Sequence, residues 1–488
     1  MIWVILLGAL LLRVPQLNGS FWLDEAAQAL ESARPLAQQF EIVPDFQPPL
    51  FHLIVHFALV VSDSEWWLRL MSAIIPGLVT IWLVYDLSKK MFSQRVAVWA
   101  AALLSTSSLH IFYSQELRPY SLPAMWAVLS WWFLQSAVKK VEAHAGFGSR
   151  YYYWVGFTAV NILGLYSSYL YPFLVLSQMI WVLWQERASL PKAVISGLVL
   201  VLSFLPWLPI LSQQLTAGGE VRTGLPGWEE VVSIPQLKSL PLVLGKFVFG
   251  VLNLDLNPWY VGVAAITGVL TVLVAKTVLP SLRKKSGREL SLVLCWLILP
   301  LLTSWIVSFW IPVIQPKRVL FLLPAFYLLI ATLVTGSRIK RWQYLPLICL
   351  LGINVFSSFQ YYLQPSLQRE DWRGLYQQIT QRYPAKESIG VFVFPEPFAP
   401  WRWYNQLSVA SFSTGAMTFD QSFNLEARIT VINNYKYVLV FDYLRDLTDP
   451  DDEILKAIEV YGYEPIDLFV YPNIGWVRVY SKKEFKSA

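Results

Sequence analysis

Two adjacent carboxylates, Asp24 and Glu25, stand near the start of the chain in the run Phe21-Trp22-Leu23-Asp24-Glu25. A carboxylate pair beside an apolar surface can act as a general base on an acceptor hydroxyl or amine. The same residues also suit a structural use, with Asp24 capping a helix over 25–33 and Glu25 near its positive end. Spacing alone leaves both uses open. Asp45 follows in Asp45-Phe46-Gln47-Pro48-Pro49-Leu50, and Glu65-Trp66-Trp67-Leu68-Arg69-Leu70 closes the segment. A second constellation is Tyr113-Ser114-Gln115-Glu116-Leu117-Arg118-Pro119-Tyr120-Ser121. Glu116 and Arg118 either pair with each other or bind a charged substrate, since an Arg fork matches phosphate oxygens. A third is Gln315-Pro316-Lys317-Arg318, whose two cations suit a phosphate or lipid headgroups equally well. His52 and His56 are four apart, which suits one helix face, but no third ligand follows. No metal site is assigned, and a divalent cation requirement stays open. Cys295 and Cys349 each lie inside an apolar run and read as packed thiols.

The elements that carry these residues are apolar. Of 488 residues, 56% are hydrophobic and 14% charged, against about 25% charged in soluble domains. A chain so poor in charge suits lipid. The 23 Trp point the same way, because Trp and Tyr collect at membrane interfaces. A span needs roughly 20 mostly apolar residues. Eleven candidates result: 2–17, 71–87, 96–113, 119–137, 152–168, 171–184, 193–211, 258–279, 291–311, 319–335 and 342–360. The first reads as a short span rather than a signal peptide, for no basic residue precedes it. Residues 49–61 are apolar but short, so they are expected to lie along the interface.

Basic residues set the orientation. Fifteen fall in one set of short loops: Lys89, Lys90, Arg95, Lys139, Lys140, Arg150, Arg187, Lys192, Arg283, Lys284, Lys285, Arg288, Arg338, Lys340 and Arg341. Nine fall in the other, much longer set: Arg13, Arg34, Arg69, Arg118, Arg222, Lys238, Lys246, Lys317 and Arg318. The positive-inside rule places the first set in the cytoplasm. The loop 18–70, the loop 212–257 and the tail after 360 then face outward. The net charge of +6 is spread over these loops, which argues against a nucleic-acid surface. In the tail, strand-like runs at 388–394, 437–443 and 475–481 flank a helix at 450–461. Asp449 is its expected cap, Pro450 sits in its first turn and Gly462 follows its end. This alternation predicts a small α/β sheet. The span interiors read as nearly free of charge, with the ionisable groups at their outer ends.

Taken together, Leu23-Asp24-Glu25, Gln47-Pro48-Pro49-Leu50, Arg69-Leu70, the run Tyr113 to Tyr120 and the run Arg318 to Pro324 carry a resemblance. The chain resembles the lipid-phosphate-sugar-dependent membrane glycosyltransferases of family 39, which include protein O-mannosyltransferases and bacterial aminoarabinose transferases. The likeness is closer to bacterial members. It implies a polytopic α-helical membrane protein of the GT-C fold, with about 11 transmembrane helices and a large first outer loop bearing interface helices. Residues 1–360 would form the catalytic transmembrane domain and 361–488 an extracytoplasmic α/β domain.

The resemblance also implies roles. Asp24 would be the catalytic acid/base residue and Glu25 its partner. Asp45 matches a second acidic position. Arg69 matches an arginine near the lipid phosphate, and Glu116, Arg118, Tyr120, Lys317 and Arg318 would serve the donor side. Gln47 stands where many relatives have His, which weakens any metal role. The implied partners are a polyprenyl-phosphate sugar, membrane lipid and an acceptor glycan, lipid or protein, at the plasma membrane. Two other classes compete. A lipid or glycan flippase would need polar groups along the span interiors or repeat symmetry. A non-catalytic membrane subunit with an outer binding domain would not need the acidic motif.

Overall fold

The computed structural model describes residues 1–43, 45–138, 147–224, 235–252, 261–262, 265, 287–336, 344–392, 398–413, 429–449 and 451–482. They form two compact units: Met1–Leu17, Pro35–Leu211 and Ser233–Leu363 in one, and Asn18–Arg34, Ser212–Val232 and Gln364–Ala488 in the other.

The first unit is helical. Among the described residues, four helical stretches are long and apolar enough to cross a membrane: Glu65–Met91, Arg187–Glu220, Gly287–Val307 and Leu345–Leu363. Helices Gln94–Thr106 and Ser108–Ser114 are long and apolar enough only as a pair, and are bent by 61° at the break between them. Ser107 sits at this break in extended conformation, with ψ 116°, and cannot carry the helical hydrogen bonds through. Ser121–Val138, Phe147–Leu165 and Tyr171–Gln185 are apolar helices over three further expected spans. Ile2–Leu11, Leu50–Leu59 and Leu320–Thr335 are shorter apolar helices. The expected span at 258–279 falls almost wholly outside the described residues, so the count of eleven is neither reached nor replaced.

The surface of this unit explains its solvent. Val194, Ile195, Leu198, Val201 and Leu202 are each more than half exposed along a single helix. Water would penalise such a stripe, and lipid tails do not. Between helices, small polar contacts replace the hydrophobic drive that lipid removes. Gln178 donates to Ser130 at 2.7 Å, the Trp181 indole N–H to Ser291 at 3.1 Å and Asn354 to the Leu103 carbonyl at 3.1 Å. One reading needs correction. The interior is not free of charge: Arg13, placed among the outer-loop cations above, is fully buried. Its guanidinium donates to the Ala9 carbonyl at 2.8 Å and meets His110 Nδ1 at 2.7 Å.

The second unit contains a five-stranded mixed sheet of order β2-β1-β3-β5-β4. Its strands are β1 (Ser388–Phe392), β2 (Ala410–Ser413), β3 (Tyr437–Phe441), β4 (Tyr463–Tyr471) and β5 (Gly475–Lys482). β1 pairs in parallel with β2 and β3, while β5 runs antiparallel to both β3 and β4. Strands β2 and β4 were not foreseen. β2 is short, and β4 carries Glu464, Pro465 and Asp467, with a register shift between Pro465 and Asp467. Strand alternation sends Ile389 and Val391 to one face with Val438, Val440, Ile454 and Ile458. Phe392 goes to the other, stacked on Phe398 at 4.6 Å and Phe441 at 4.4 Å.

Helix Glu453–Val460 covers the first face and begins three residues later than expected. Asp449 still does the capping: its carboxylate accepts from the Glu453 N–H at 2.8 Å and the Ile454 N–H at 3.1 Å. Gly462 follows with φ +78°, the left-handed conformation that ends helices. Asp449→Ala is expected to destabilise this unit by about 1–2 kcal/mol, and Asp449→Asn by less. Thermal melts of the purified protein measure both, and equal melting of Asp449→Ala and wild type would remove the capping role.

Candidate active site

The acidic motif lies on helix Leu23–Ser32, in the second unit. Trp22 occupies the N-cap position, in extended conformation and without a side-chain cap. Asp24 is therefore the second residue of the helix and not its cap, which corrects the structural alternative above. The helix buries Glu25, Ala26, Gln28, Ala29 and Ser32. Spacings of three and four place these on one face, and a step of about 100° per residue turns Asp24 to the flank of it. Asp24 is half-buried, while Glu25 is fully buried and faces Arg369 at 4.0 Å.

Further bonds seat the helix within its unit. The Phe21 N–H donates to the Tyr404 hydroxyl at 2.6 Å. Arg373 donates to the Asn18 carbonyl at 2.7 Å, and its backbone N–H to Ser20 Oγ at 3.0 Å. Glu370 lies near the same turn. It accepts from the Trp372 indole at 2.5 Å and the Tyr443 hydroxyl at 2.7 Å. Burial pushes its carboxyl up to about 7, against the pull of the Trp372 and Tyr443 donors, and the Asp24 charge adds to the rise. Arg369, Glu370 and Tyr443 escaped the sequence reading, since no motif marks them and they lie more than three hundred residues from Asp24.

Asp45 belongs to the first unit. One carboxylate oxygen lies 2.9 Å from His52 Nε2, and the other accepts from Arg118 at 3.4 Å. Gln47 donates to the same carboxylate and meets His52 Nε2 at 2.8 Å. Pro48 and Pro49 stop the preceding loop and start helix Leu50–Leu59, whose first turn delivers His52 fully buried. Burial opposes ionisation of Asp45. Arg118 first, and then the His52 hydrogen bond, outweigh it and hold the carboxyl well below the ordinary carboxylate range. Tyr169 feels the Asp45 charge, and burial pushes its hydroxyl up to about 12. His52 had been weighed only as a weak metal ligand beside His56. His56, four residues on, is half-buried, with its ring 5.5 Å from Phe57.

The remaining candidates also fall in the first unit. Arg69 ends helix Glu65–Arg69, just before a π turn at Leu70–Ile74. It is fully buried and donates to the Leu17 carbonyl at 2.9 Å. Glu116 is buried. Lys317 stands over the Tyr120 ring at 5.6 Å, and Tyr120 meets Tyr113 edge-on at 5.1 Å. Arg318 donates to the Pro312 carbonyl at 3.1 Å.

Residues 46–212 match the family model described as dolichyl-phosphate-mannose-protein mannosyltransferase. No curated protein sequence matches the chain. Among solved structures, it is similar to ArnT from Cupriavidus metallidurans in the apo state, at 13% identity and a TM-score of 0.59, covering 98% of this chain and 97% of that one. The undecaprenyl-phosphate-bound ArnT gives 11% identity and a TM-score of 0.59 over the same shares. The Archaeoglobus fulgidus oligosaccharyltransferase with zinc and sulfate gives 14% identity and a TM-score of 0.55, covering 98% of this chain and 72% of that one. At such identities the likeness carries the fold, which is the GT-C fold with a small C-terminal sheet. With the family match, it supports a GT-C membrane glycosyltransferase, as the sequence motifs had suggested.

Arg118→Met leaves Asp45 buried without its cation, and is expected to cost about 3 kcal/mol. Adding Asp45→Asn should recover most of that loss, because neither charge then stays buried alone. The pH sign follows from the lowered Asp45 value. Its contribution is whole above the unfolded value of about 3.9 and disappears as pH falls toward the folded one. Thermal melts from pH 7 to pH 3 of wild type and the double variant test this. A single variant as stable as wild type would show that the pair does not hold this loop.

Proposed function

We propose that this protein transfers a sugar from a polyprenyl-phosphate donor to an extracytoplasmic acceptor in the cell envelope. Asp24 acts as general base. It removes the proton from an acceptor hydroxyl or amine as that atom attacks the anomeric carbon. The bond to the lipid phosphate breaks, and one displacement inverts the anomeric centre. Glu25 supports the acidic helix. Arg69, Arg118, Lys317 and Arg318 serve the departing phosphate, since fixed cations stabilise charge that develops in the transition state. Asp45 orients Arg118, and Glu116 and Tyr120 line the donor side. The acceptor is an envelope glycan, lipid or protein, and the sugar a hexose or pentose.

The observation that carries this reading is the state of Asp24. Trp22, not Asp24, holds the N-cap position of its helix, and no hydrogen bond or ion pair among the described residues takes the Asp24 carboxylate. The family match and ArnT-like fold support the reaction class. The ArnT structure bound to undecaprenyl phosphate supports a polyprenyl carrier for this chain as well.

Three measurements test the proposal. The tail after residue 360 is expected outside the cytoplasm at the plasma membrane, and a cytoplasmic signal from a C-terminal reporter would reverse the topology. Arg69→Ala is expected to weaken undecaprenyl-phosphate binding about tenfold or more, with Arg69→Lys between it and wild type. Wild-type affinity in Arg69→Ala would end its phosphate role. For Asp24, the donor is the lipid-linked sugar that accumulates when the gene is deleted, identified by mass spectrometry. Asp24→Asn should fold normally, bind this lipid and lose turnover ~100- to 10,000-fold. Near wild-type turnover would reject Asp24 as the base.

A further inference from the structure

Residues 12–17 leave helix Ile2–Leu11 through turns, with Gln16 at φ +65°. A side chain with a Cβ is strained in that left-handed conformation, which persists only where the surroundings over-determine it. Side chains from three other parts of the first unit do so, by donating to the carbonyls of this segment. The Tyr362 hydroxyl donates to the Leu12 carbonyl. The Gln115 amide donates to the Arg13 carbonyl at 2.9 Å and also to that of Pro15. Arg69 donates to the Leu17 carbonyl at 2.9 Å. Gln115 is the central grip. It is fully buried, and an amide N–H pair meets a carbonyl on either side of Val14. Its own backbone N–H donates to the Phe112 carbonyl at 3.1 Å, which fixes it to the end of helix Ser108–Ser114. Only two residues then separate the clamped Pro15 carbonyl from the Leu17 carbonyl that takes Arg69.

We propose that Gln115 is a positioning residue for Arg69: by clamping residues 13–15 it fixes the Leu17 carbonyl that holds the Arg69 guanidinium. The inference rests on the reading of Arg69 as a cation for the lipid phosphate. A guanidinium is a rigid planar fork, so its match to phosphate oxygens depends on the angle at which it is held. Arg69 is fully buried at the end of a short helix, and the Leu17 carbonyl anchors one of its nitrogens. A fork anchored in advance loses less freedom when the phosphate arrives. Without the Gln115 donors, residues 15–17 relax from the strained turn at Gln16. The Leu17 carbonyl then moves, and the fork loses its preset angle.

The test uses the full chain purified in lipid nanodiscs, with undecaprenyl phosphate as the binding probe. Q115M keeps the length and bulk of the side chain and removes both donors. It is expected to weaken undecaprenyl-phosphate affinity about 3- to 10-fold. In the R69A background the same change should add less than about twofold, because residues that act through one contact are not additive. Wild-type affinity in Q115M would overturn the inference. So would an equal fold loss in wild type and R69A, the additive pattern of a residue that supports the fold without acting through Arg69. If Q115M does not fold, Q115N withdraws the amide by one methylene and is read in the same cycle with the same outcomes. R69A with wild-type affinity rejects the phosphate role itself, whereas a weakened R69A beside an unaffected Q115M rejects only the role of Gln115.

Discussion

Glu25 sits fully buried on the inner face of a short helix, and Arg369 is the cation that meets it. A carboxylate without water needs such a partner or it will not stay ionised. Much of the second unit follows from meeting that need. Ala26 and Ala29 let the helix pack closely, and Tyr404, Arg373 and Ser20 tie down the chain before it. Once Glu25 faces inward, helical geometry turns its neighbour Asp24 to the flank. The pair thus divides its labour by rotation alone: one carboxylate holds the helix, and the other stays half-buried beside it. Burial of ionisable groups recurs at Glu370, whose two donors permit a carboxyl to stand between Trp372 and Tyr443.

The first unit solves a different problem. Its solvent on most sides is lipid, so exposed Leu, Ile and Val are no liability there. Helix contacts lean instead on small residues and hydrogen bonds. Gly164, for example, lies where any added Cβ would strike the Tyr171 ring. Two of its buried charged groups show how partners are found. Arg13 spends its donors on carbonyls and His110, and Asp45 is enclosed by Arg118, His52 and Gln47. This last cluster unites residues that span more than seventy positions of sequence.

Local pattern made much of this legible. Apolar runs marked most of the helices, because lipid demands an uninterrupted stretch of about 20 residues and tolerates few charges. Strands formed at 388–392, 437–441 and 475–482 within or over the expected runs, with 393 and 394 outside the described residues, and Asp449 with Gly462 bounded a helix as their side-chain chemistry dictates. The candidate residues Asp24, Asp45, Arg69 and Arg118 stood out because charge is rare in such a chain. What local pattern missed were β2 and β4, one too short and the other too polar to show a clean alternation. It also left open whether Asp24 caps its helix, because a cap is defined by backbone angles, here at Trp22, that no residue type reveals.

Residue types and their spacing therefore determined the apolar helices, the α/β character of the tail and the acids worth attention. Tertiary structure alone decided their company. It joined residues 18–34 to the tail rather than to the rest of their own loop. It placed Arg369 against a helix more than three hundred residues away, and put His52 on Asp45. The reason is physical. Periodicity records which face of an element avoids water, but a buried charge is satisfied by whichever partner the packed chain brings within a few ångströms, and that choice leaves no mark on the spacing of either residue.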